Sequence, residues 1–189
     1  MRIQALRPRL SLEAASAQLL ASGWRRLFFA RRHGTLAEFY VPYFVFTVDA
    51  DVNGRRERSF WAIDGRDGSL DAIPLKRRPE TNELVELETT NCLDFKIDEA
   101  RARSILHDRL RYFYHSHIGP FALREFNLTV VVPALRLHWP YWVAAFEQRP
   151  RHEIEALDAI HGAAQGQKWK DLVLGRVRFH PGSGGERVR

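Results

Sequence analysis

The sequence predicts an α+β protein made of two tandem repeats, each a helix packed on an antiparallel β-sheet. Three observations lead to this fold class: the same order of elements occurs twice, each copy holds a Pro-Tyr pair in a β-rich stretch, and each copy ends in an Asp-x-x-x-Gly turn. The chain has 189 residues and 45% of them are hydrophobic, which excludes global disorder and suffices for one domain or two small ones.

Each copy begins with a predicted helix, over residues 11–21 in the first copy and 98–114 in the second. Apolar residues recur at helical spacing in both segments. Ser11 and Asp98 stand where a side-chain oxygen can accept a backbone N–H, so we expect the helices to start there.

A Pro-Tyr strand follows in each copy. The first reads Val41-Pro42-Tyr43-Phe44-Val45 and the second reads Trp139-Pro140-Tyr141-Trp142-Val143, at an offset of 98 positions. The β-branched and aromatic neighbours favour strands. Because proline has no N–H for a sheet ladder, we expect both prolines at a strand start, a bulge or an edge.

A hairpin comes next in each copy. Asn53-Gly54 joins a strand over 43–49 to one over 55–63, and this dipeptide is a strong signal for a two-residue turn. Gln148-Arg149-Pro150 occupies the same place in the second copy.

The copies end at Asp64 to Gly68 and at Asp158 to Gly162. An Asp after a strand can accept hydrogen bonds from backbone amides two or three residues further on, and the Gly supplies a positive φ. We therefore interpret both Asp residues as turn-forming, in preference to a catalytic role.

The repeat resembles the PepSY-type module, whose helix starts with an acidic residue and Ala and whose hairpin ends Asp-x-x-Thr-Gly. Glu13-Ala14 and Glu99-Ala100 resemble the helix start, and the segments 60–68 and 154–162 resemble the strand and turn. Neither copy keeps the Thr before the final Gly. The resemblance implies a small α+β fold used for binding, often as a protease propeptide or inhibitory module outside the cytoplasm.

These patterns divide the chain into a first repeat over residues 1–75, an acidic linker over 76–96, a second repeat over 97–180 and a flexible tail over 181–189. The net charge of +6 is the balance of opposed blocks, since residues 80–99 hold seven acidic residues against one Lys. We expect the acidic linker to meet the basic surface of the chain itself.

The sequence contains no phosphate-binding loop, nucleophile elbow or zinc-protease motif, and its one Cys excludes a disulfide scaffold. We therefore expect a non-catalytic binding or assembly module without catalytic residues, cofactor or metal. A metal-dependent enzyme at His107, His115 and His117 is one alternative. The competing interpretation places these His residues near the negative end of a helix.

We expect a protein or peptide partner, received by the cleft between the repeats or by an open sheet edge. A homodimer is also compatible with the sequence. The predicted binding residues are aromatic and could equally belong to the core; they are Tyr43, Trp61, Tyr141 and Trp142.

Nucleic acid is the alternative partner, because the pI is near 9.9 and 25 of the 29 basic residues are Arg. The segments 24–26 and 168–170 each combine a Trp with two cationic neighbours. The competing interpretation is an amphipathic edge whose ring packs inward. The candidate anion contacts are Arg25, Arg26, Lys168 and Lys170.

No segment reaches the roughly 18 consecutive apolar residues that span a bilayer, so we expect no membrane span. Residues 1–23 superficially resemble a signal peptide, but Glu13, Ser16 and Gln18 interrupt the apolar core, and the spacing favours an amphipathic helix. We therefore expect a cytoplasmic protein.

Overall fold

The structure, a computed structural model, describes residues 1–21, 34–118, 126–148, 151–174 and 176–178. Within these residues the chain forms an α+β fold with three α-helices and seven β-strands, which confirms the α+β class that the sequence predicts. The strands are β1 (Arg2–Leu6), β2 (Gly34–Val52), β3 (Arg55–Asp64), β4 (Ile73–Leu75), β5 (Leu84–Glu88), β6 (Phe126–Gln148) and β7 (Arg151–Asp158). The helices are α1 (Leu12–Ala21), α2 (Glu99–Ile118) and α3 (Gln167–Val173).

The described strands form one sheet, in which hydrogen-bonded neighbours follow the order β4-β3-β2-β6-β1-β5 and β7 pairs with β6. β2 and β3 are antiparallel, and their ladder runs from Tyr43 opposite Asp64 to Val52 opposite Arg55. β6 and β7 are also antiparallel, and their ladder begins with Tyr141 opposite Asp158.

The chain divides into two compact units, each assembled from separate segments. Unit 1 contains Met1–Tyr40, Val85–Cys92 and Trp139–Arg189, and unit 2 contains Val41–Leu84 and Leu93–His138. Each unit therefore takes residues from both halves of the chain, and β2 and β6 contribute to both units. The division of the chain into repeats over residues 1–75 and 97–180 stays a prediction.

In unit 1, helix α1 packs against the β6–β7 hairpin. Ala15 and Leu19 of α1 are buried with Trp142 and Leu157 in one hydrophobic cluster. The helix starts as expected, because the Ser11 hydroxyl accepts the Ala14 N–H at 3.2 Å. A second cluster in this unit joins β1 to β5.

In unit 2, helix α2 packs against the β2–β3 hairpin. Its buried residues follow the helical period, and they are Ala102, Leu106, Leu110 and Tyr114. They meet Phe44, Phe46 and Ile63 in the core of the unit. The Asp98 carboxylate accepts the Arg101 N–H at 2.7 Å, which confirms the predicted helix start.

The β2–β3 turn has the geometry that its dipeptide predicts. Asn53 and Gly54 have φ values of 53° and 80°, and Val52 pairs with Arg55, so the turn contains two residues with positive φ. In the second hairpin Gln148 pairs with Arg151, and residues 149 and 150 of the predicted turn lie outside the described residues.

The two prolines of the Pro-Tyr strands lie inside long strands and do not begin them. Pro42 and Pro140 each precede the first residue of a hairpin ladder, at Tyr43 and Tyr141. Each proline carbonyl accepts an N–H from the end of its hairpin, at 2.7 Å in β2 and 3.1 Å in β6. Each proline, which has no N–H, therefore lies directly before the hairpin ladder of its strand begins, and the strand continues past the proline.

The acidic segment over residues 76–96 contains regular structure. It includes the short 3₁₀ turn Thr81–Glu83 and the strand β5. Glu86 of β5 forms an ion pair with Arg2, and Arg77 pairs with Glu83 at 2.8 Å. Arg2 lies outside the acidic segment and Arg77 lies within it, so one of these two ion pairs joins the segment to another part of the chain.

Candidate functional site

Three of the four predicted aromatic binding residues are buried. Tyr43, Tyr141 and Trp142 have no more than 7% of their surface exposed. The Tyr141 ring lies 4.7 Å from the ring of Trp169, and the Trp142 indole N–H donates to the Leu10 carbonyl at 2.8 Å. These three side chains therefore support the core of their units and do not present a surface to a partner.

Trp61 differs from the other three because its ring is only half-buried. The indole N–H donates to the Ser59 hydroxyl at 3.1 Å, and Trp61 pairs with Phe46 on one side and with Pro74 on the other. Its ring meets the ring of Phe113 edge to face, with the centroids 5.9 Å apart. Backbone ladders and a hydrogen bond thus fix the Trp61 ring at the surface of unit 2.

Helix α2 places two more aromatic rings beside Trp61. Phe113 and Tyr112 precede the buried Tyr114, and their exposed fractions are 39% and 77%. No hydrogen bond or ring contact with another described residue holds the Tyr112 ring. The sequence interpretation missed both residues, although they stand directly before the last member of the apolar face of α2.

Trp61, Phe113 and Tyr112 border an open groove of about 510 Å³ in unit 2, which we call the aromatic groove. Its volume lies in the range of ordinary ligand sites. The remaining lining residues come from α2 and from the segment that follows the Asp64 turn; they are Asp71, Ala72, Asp108, Arg109 and Leu110.

Arg109 fixes the floor of the aromatic groove. Its guanidinium donates hydrogen bonds to the carbonyls of Gly68 and Leu70, so helix α2 holds the loop that leads into Asp71. The donors of Arg109 are therefore directed at the backbone of unit 2. The Asp108 carboxylate lies one residue away, 3.7 Å from His107 Nδ1, and this contact is an ion pair only when the imidazole is protonated.

The Asp64 turn builds the loop that Arg109 holds. The Asp64 carboxylate is fully buried and accepts the backbone N–H groups of Arg66, Asp67, Gly68 and Leu70 at 2.9 to 3.2 Å. Burial raises the pKa of this carboxyl, against the opposing effect of the N–H donors. Gly68 has a φ of 70°, which confirms the predicted turn chemistry.

The Asp158 turn in unit 1 shares two of these backbone contacts, those from the residues two and three positions after the Asp. Asp158 accepts the N–H groups of Ile160 and His161 at 2.7 and 3.2 Å, and Gly162 has a φ of 70°. Its carboxylate also accepts the Trp139 indole N–H and lies 2.9 Å from His161 Nδ1. Both predicted Asp turns are thus confirmed as turn chemistry.

The structure describes two of the four candidate anion contacts. Arg25 and Arg26 lie outside the described residues. On α3, Lys168 is exposed and Lys170 is half-buried, while the Trp169 ring between them is buried against Phe39 and Tyr141. The ring packs inward, so Trp169 offers no stacking surface to a base.

His107 and His115 of α2 do not belong to a metal-binding group of described residues. Among the residues that the structure describes, no group of three His, Cys, Asp or Glu could hold a metal ion. His107 and His115 lie on α2, and the ring of His115 contacts Phe126 at 6.0 Å. The side chain of His117 lies outside the described residues.

A second cavity, of about 560 Å³, lies in unit 2 where β2 and β3 approach their turn. Its walls carry two cross-strand ion pairs, Arg58 with Asp49 at 2.6 Å and Arg56 with Asp51 at 3.6 Å. The Arg58 guanidinium lowers the pKa of the Asp49 carboxyl through this hydrogen bond. No described aromatic side chain lines this cavity, so it offers an apolar partner less than the aromatic groove does.

Comparison of the chain with protein-family models, curated proteins and solved structures finds no match. Among the described helices, none is both long and apolar enough to cross a membrane. The functional interpretation therefore depends on the geometry of the aromatic groove.

Proposed function

We propose that the protein is a non-catalytic binding module that receives a segment of a protein or peptide partner in the aromatic groove. The observation that carries this proposal is the group of three aromatic rings at the surface of unit 2, where Tyr112 is 77% exposed beside Phe113 and Trp61. Contiguous exposed apolar surface marks interaction sites, and Trp and Tyr are enriched among the residues that dominate binding energy.

The groove is suited to binding because its walls are ordered by other contacts. Trp61 is held in two ladders and by Ser59, and Arg109 ties the loop to α2. A wall that is already fixed loses little conformational entropy when a partner docks, so more of the contact energy appears as affinity. Tyr112 is the least restrained of the three rings and would order on binding.

The two-repeat architecture and the PepSY resemblance belong to this proposal. Two matched features support a duplication: the pairing of Tyr43 with Asp64 recurs as Tyr141 with Asp158, and Gly68 and Gly162 share a φ of 70°. In each unit one helix packs on one hairpin. Duplicated helix-and-hairpin folds that serve binding are what the resemblance implies.

The other expectations from the sequence stay predictions. They are a cytoplasmic location, a homodimer, nucleic-acid binding through Lys168 and Lys170, and a metal-dependent activity. A salt titration of binding to a random duplex tests the nucleic-acid alternative, because phosphate contacts weaken steeply as salt rises.

The test of the proposed function selects peptides from a phage-displayed random library on the full chain. We expect the enriched synthetic peptides to bind Tyr112→Ala about tenfold or more weakly than the wild type, as for a central aromatic contact. Leu174→Ala is the matched control, because Leu174 is 59% exposed and lies outside the groove, in unit 1.

Tyr112 is exposed, so its replacement changes the free energy of unfolding by no more than about 0.5 kcal/mol. Loss of binding is therefore separable from loss of folding. The proposal is wrong if no peptide is enriched, or if the enriched peptides bind Tyr112→Ala as tightly as Leu174→Ala.

A further inference from the structure

We infer that the partner segment places an arginine side chain in the aromatic groove, between its aromatic rings and its two carboxylates. This inference depends on the proposed function and names the chemistry of the partner. The juxtaposition that supports it is that of Trp61 and Tyr112 with Asp71 and Asp108 around one groove.

Charged side chains line the aromatic groove. Asp71 and Asp108 are both exposed on its rim. Asp71 forms no ion pair with another described residue, and Asp108 lies 3.7 Å from His107 Nδ1, which is charged only when the imidazole is protonated. The Arg109 donors are directed at the Gly68 and Leu70 carbonyls. Arg109 keeps its positive charge, so the groove lining carries two carboxylates and one guanidinium, a net charge of −1, although the net charge of the chain is +6.

The Trp61 and Tyr112 rings of the groove suit a guanidinium. A guanidinium within about 6 Å of a Trp or Tyr ring is attracted to the face of that ring, and its flat shape also matches a carboxylate. Unit 2 already contains one such contact, in which the Arg136 guanidinium carbon lies 4.4 Å from the centre of the Phe95 ring. Trp61 and Tyr112 offer the same type of surface to a side chain from outside.

Other kinds of partner segment fit the groove less well than one with an arginine. An acidic segment or a phosphate backbone would bring like charge against Asp71 and Asp108, which is unfavourable. A purely apolar segment would cover the rings but would leave both carboxylates with less water and no partner. An arginine between apolar neighbours satisfies the rings and the carboxylates together.

The experiment uses three synthetic peptide libraries that differ in one fixed central residue: arginine, its uncharged isostere citrulline, or glutamate. The flanking positions are randomised among Leu, Phe, Ala, Ser and Gly. Library pools are screened on the full chain, and dissociation constants of the best sequences are then measured by fluorescence anisotropy, with each sequence made in all three forms.

We expect the arginine form of a sequence to bind about tenfold more tightly than its citrulline form, the sum of a cation–π contact and an exposed ion pair. Added salt should narrow this difference, because it screens the carboxylates. In the double variant Asp71→Asn and Asp108→Asn the arginine form should lose at least half of its advantage, while binding of the citrulline form stays unchanged.

Three results overturn the inference. Equal binding of the arginine and citrulline forms, weakened by Tyr112→Ala, would leave the proposed function in place and remove the arginine. Preference for the glutamate form would reverse the charge argument. Absence of binding in all three libraries would contradict the proposed function itself, and the inference with it.

Discussion

Substitution of the two positive-φ glycines by alanine separates the cost of backbone strain from the cost of packing. Gly68 and Gly162 have the same φ of 70° at the ends of the two Asp turns. A Cβ at Gly68 would lie 2.7 Å from Ile105 Cδ1, whereas a Cβ at Gly162 would meet only the Gln18 side-chain oxygen, at 3.5 Å. The backbone cost is therefore shared, and the packing cost falls on Gly68 alone.

The magnitudes follow from these contacts. An L-residue in the left-handed region costs about 1–2 kcal/mol, so Gly162→Ala should lower the free energy of unfolding by that amount. A carbon–carbon contact of 2.7 Å is far below the optimum of about 3.5–4.0 Å. Ile105 must move to relieve it, and overpacking of this kind costs about 1–3 kcal/mol. Gly68→Ala should therefore cost about 2–5 kcal/mol in total.

Urea unfolding of the full chain, followed by tryptophan fluorescence, measures both variants. Ile105→Val removes Cδ1, so the cost of Gly68→Ala should be at least about 1 kcal/mol smaller in that background, and the cost of Gly162→Ala should not change. Equal costs for the two glycines, or no relief by Ile105→Val, would refute the assignment of the difference to this contact.

Three further predictions concern buried side chains. Burial raises the pKa of Asp64 above its ordinary value of 3.8. The free energy of unfolding of the wild type, relative to that of Asp64→Asn, should therefore be highest below pH 3.8 and fall as the pH rises. Urea unfolding across a range of pH measures this difference. Leu106→Ala should cost about 2–5 kcal/mol in the same assay at fixed pH, because Leu106 is fully buried. Asn91→Ala removes two 2.8 Å hydrogen bonds to the Arg178 backbone, so exchange of the Arg178 amide should become faster by NMR.

Short-range chemistry made much of the fold predictable. The Asn53-Gly54 turn, the helix starts at Ser11 and Asp98, and the Asp64 and Asp158 turns each depend on residues within a few positions of one another. Propensity and capping act over that distance, so one sequence contains the information.

Long-range pairing was not predictable from the same patterns. The repeat pattern predicts each helix on the sheet of its own copy, whereas α1 packs with Leu157 of β7 and α2 packs with residues of both β2 and β6. An apolar helix face fits any apolar sheet face, so periodicity does not choose between hairpins. The strand β5 in the acidic segment was missed for a related reason, since its pairing with β1 is long-range.

The site was predictable only in part. Of the four predicted aromatic residues, Trp61 lines the aromatic groove, whereas Tyr43, Tyr141 and Trp142 are buried in the core. Strand patterns show which residues are aromatic, but burial depends on the elements packed above them. Tyr112 was missed because an exposed ring beside an apolar helix face has no periodic signal of its own.

The most direct test of the proposed binding mode is an NMR spectrum of the tryptophan indole N–H groups, recorded while a library-selected peptide is added to the full chain. Trp61→Phe identifies the Trp61 signal. We expect this signal to shift on binding. The signal of Trp139 should not shift, because the Trp139 ring is buried and its indole N–H donates a hydrogen bond to the Asp158 carboxylate. A peptide that binds and moves the Trp139 signal while leaving the Trp61 signal unchanged would contradict binding at the aromatic groove.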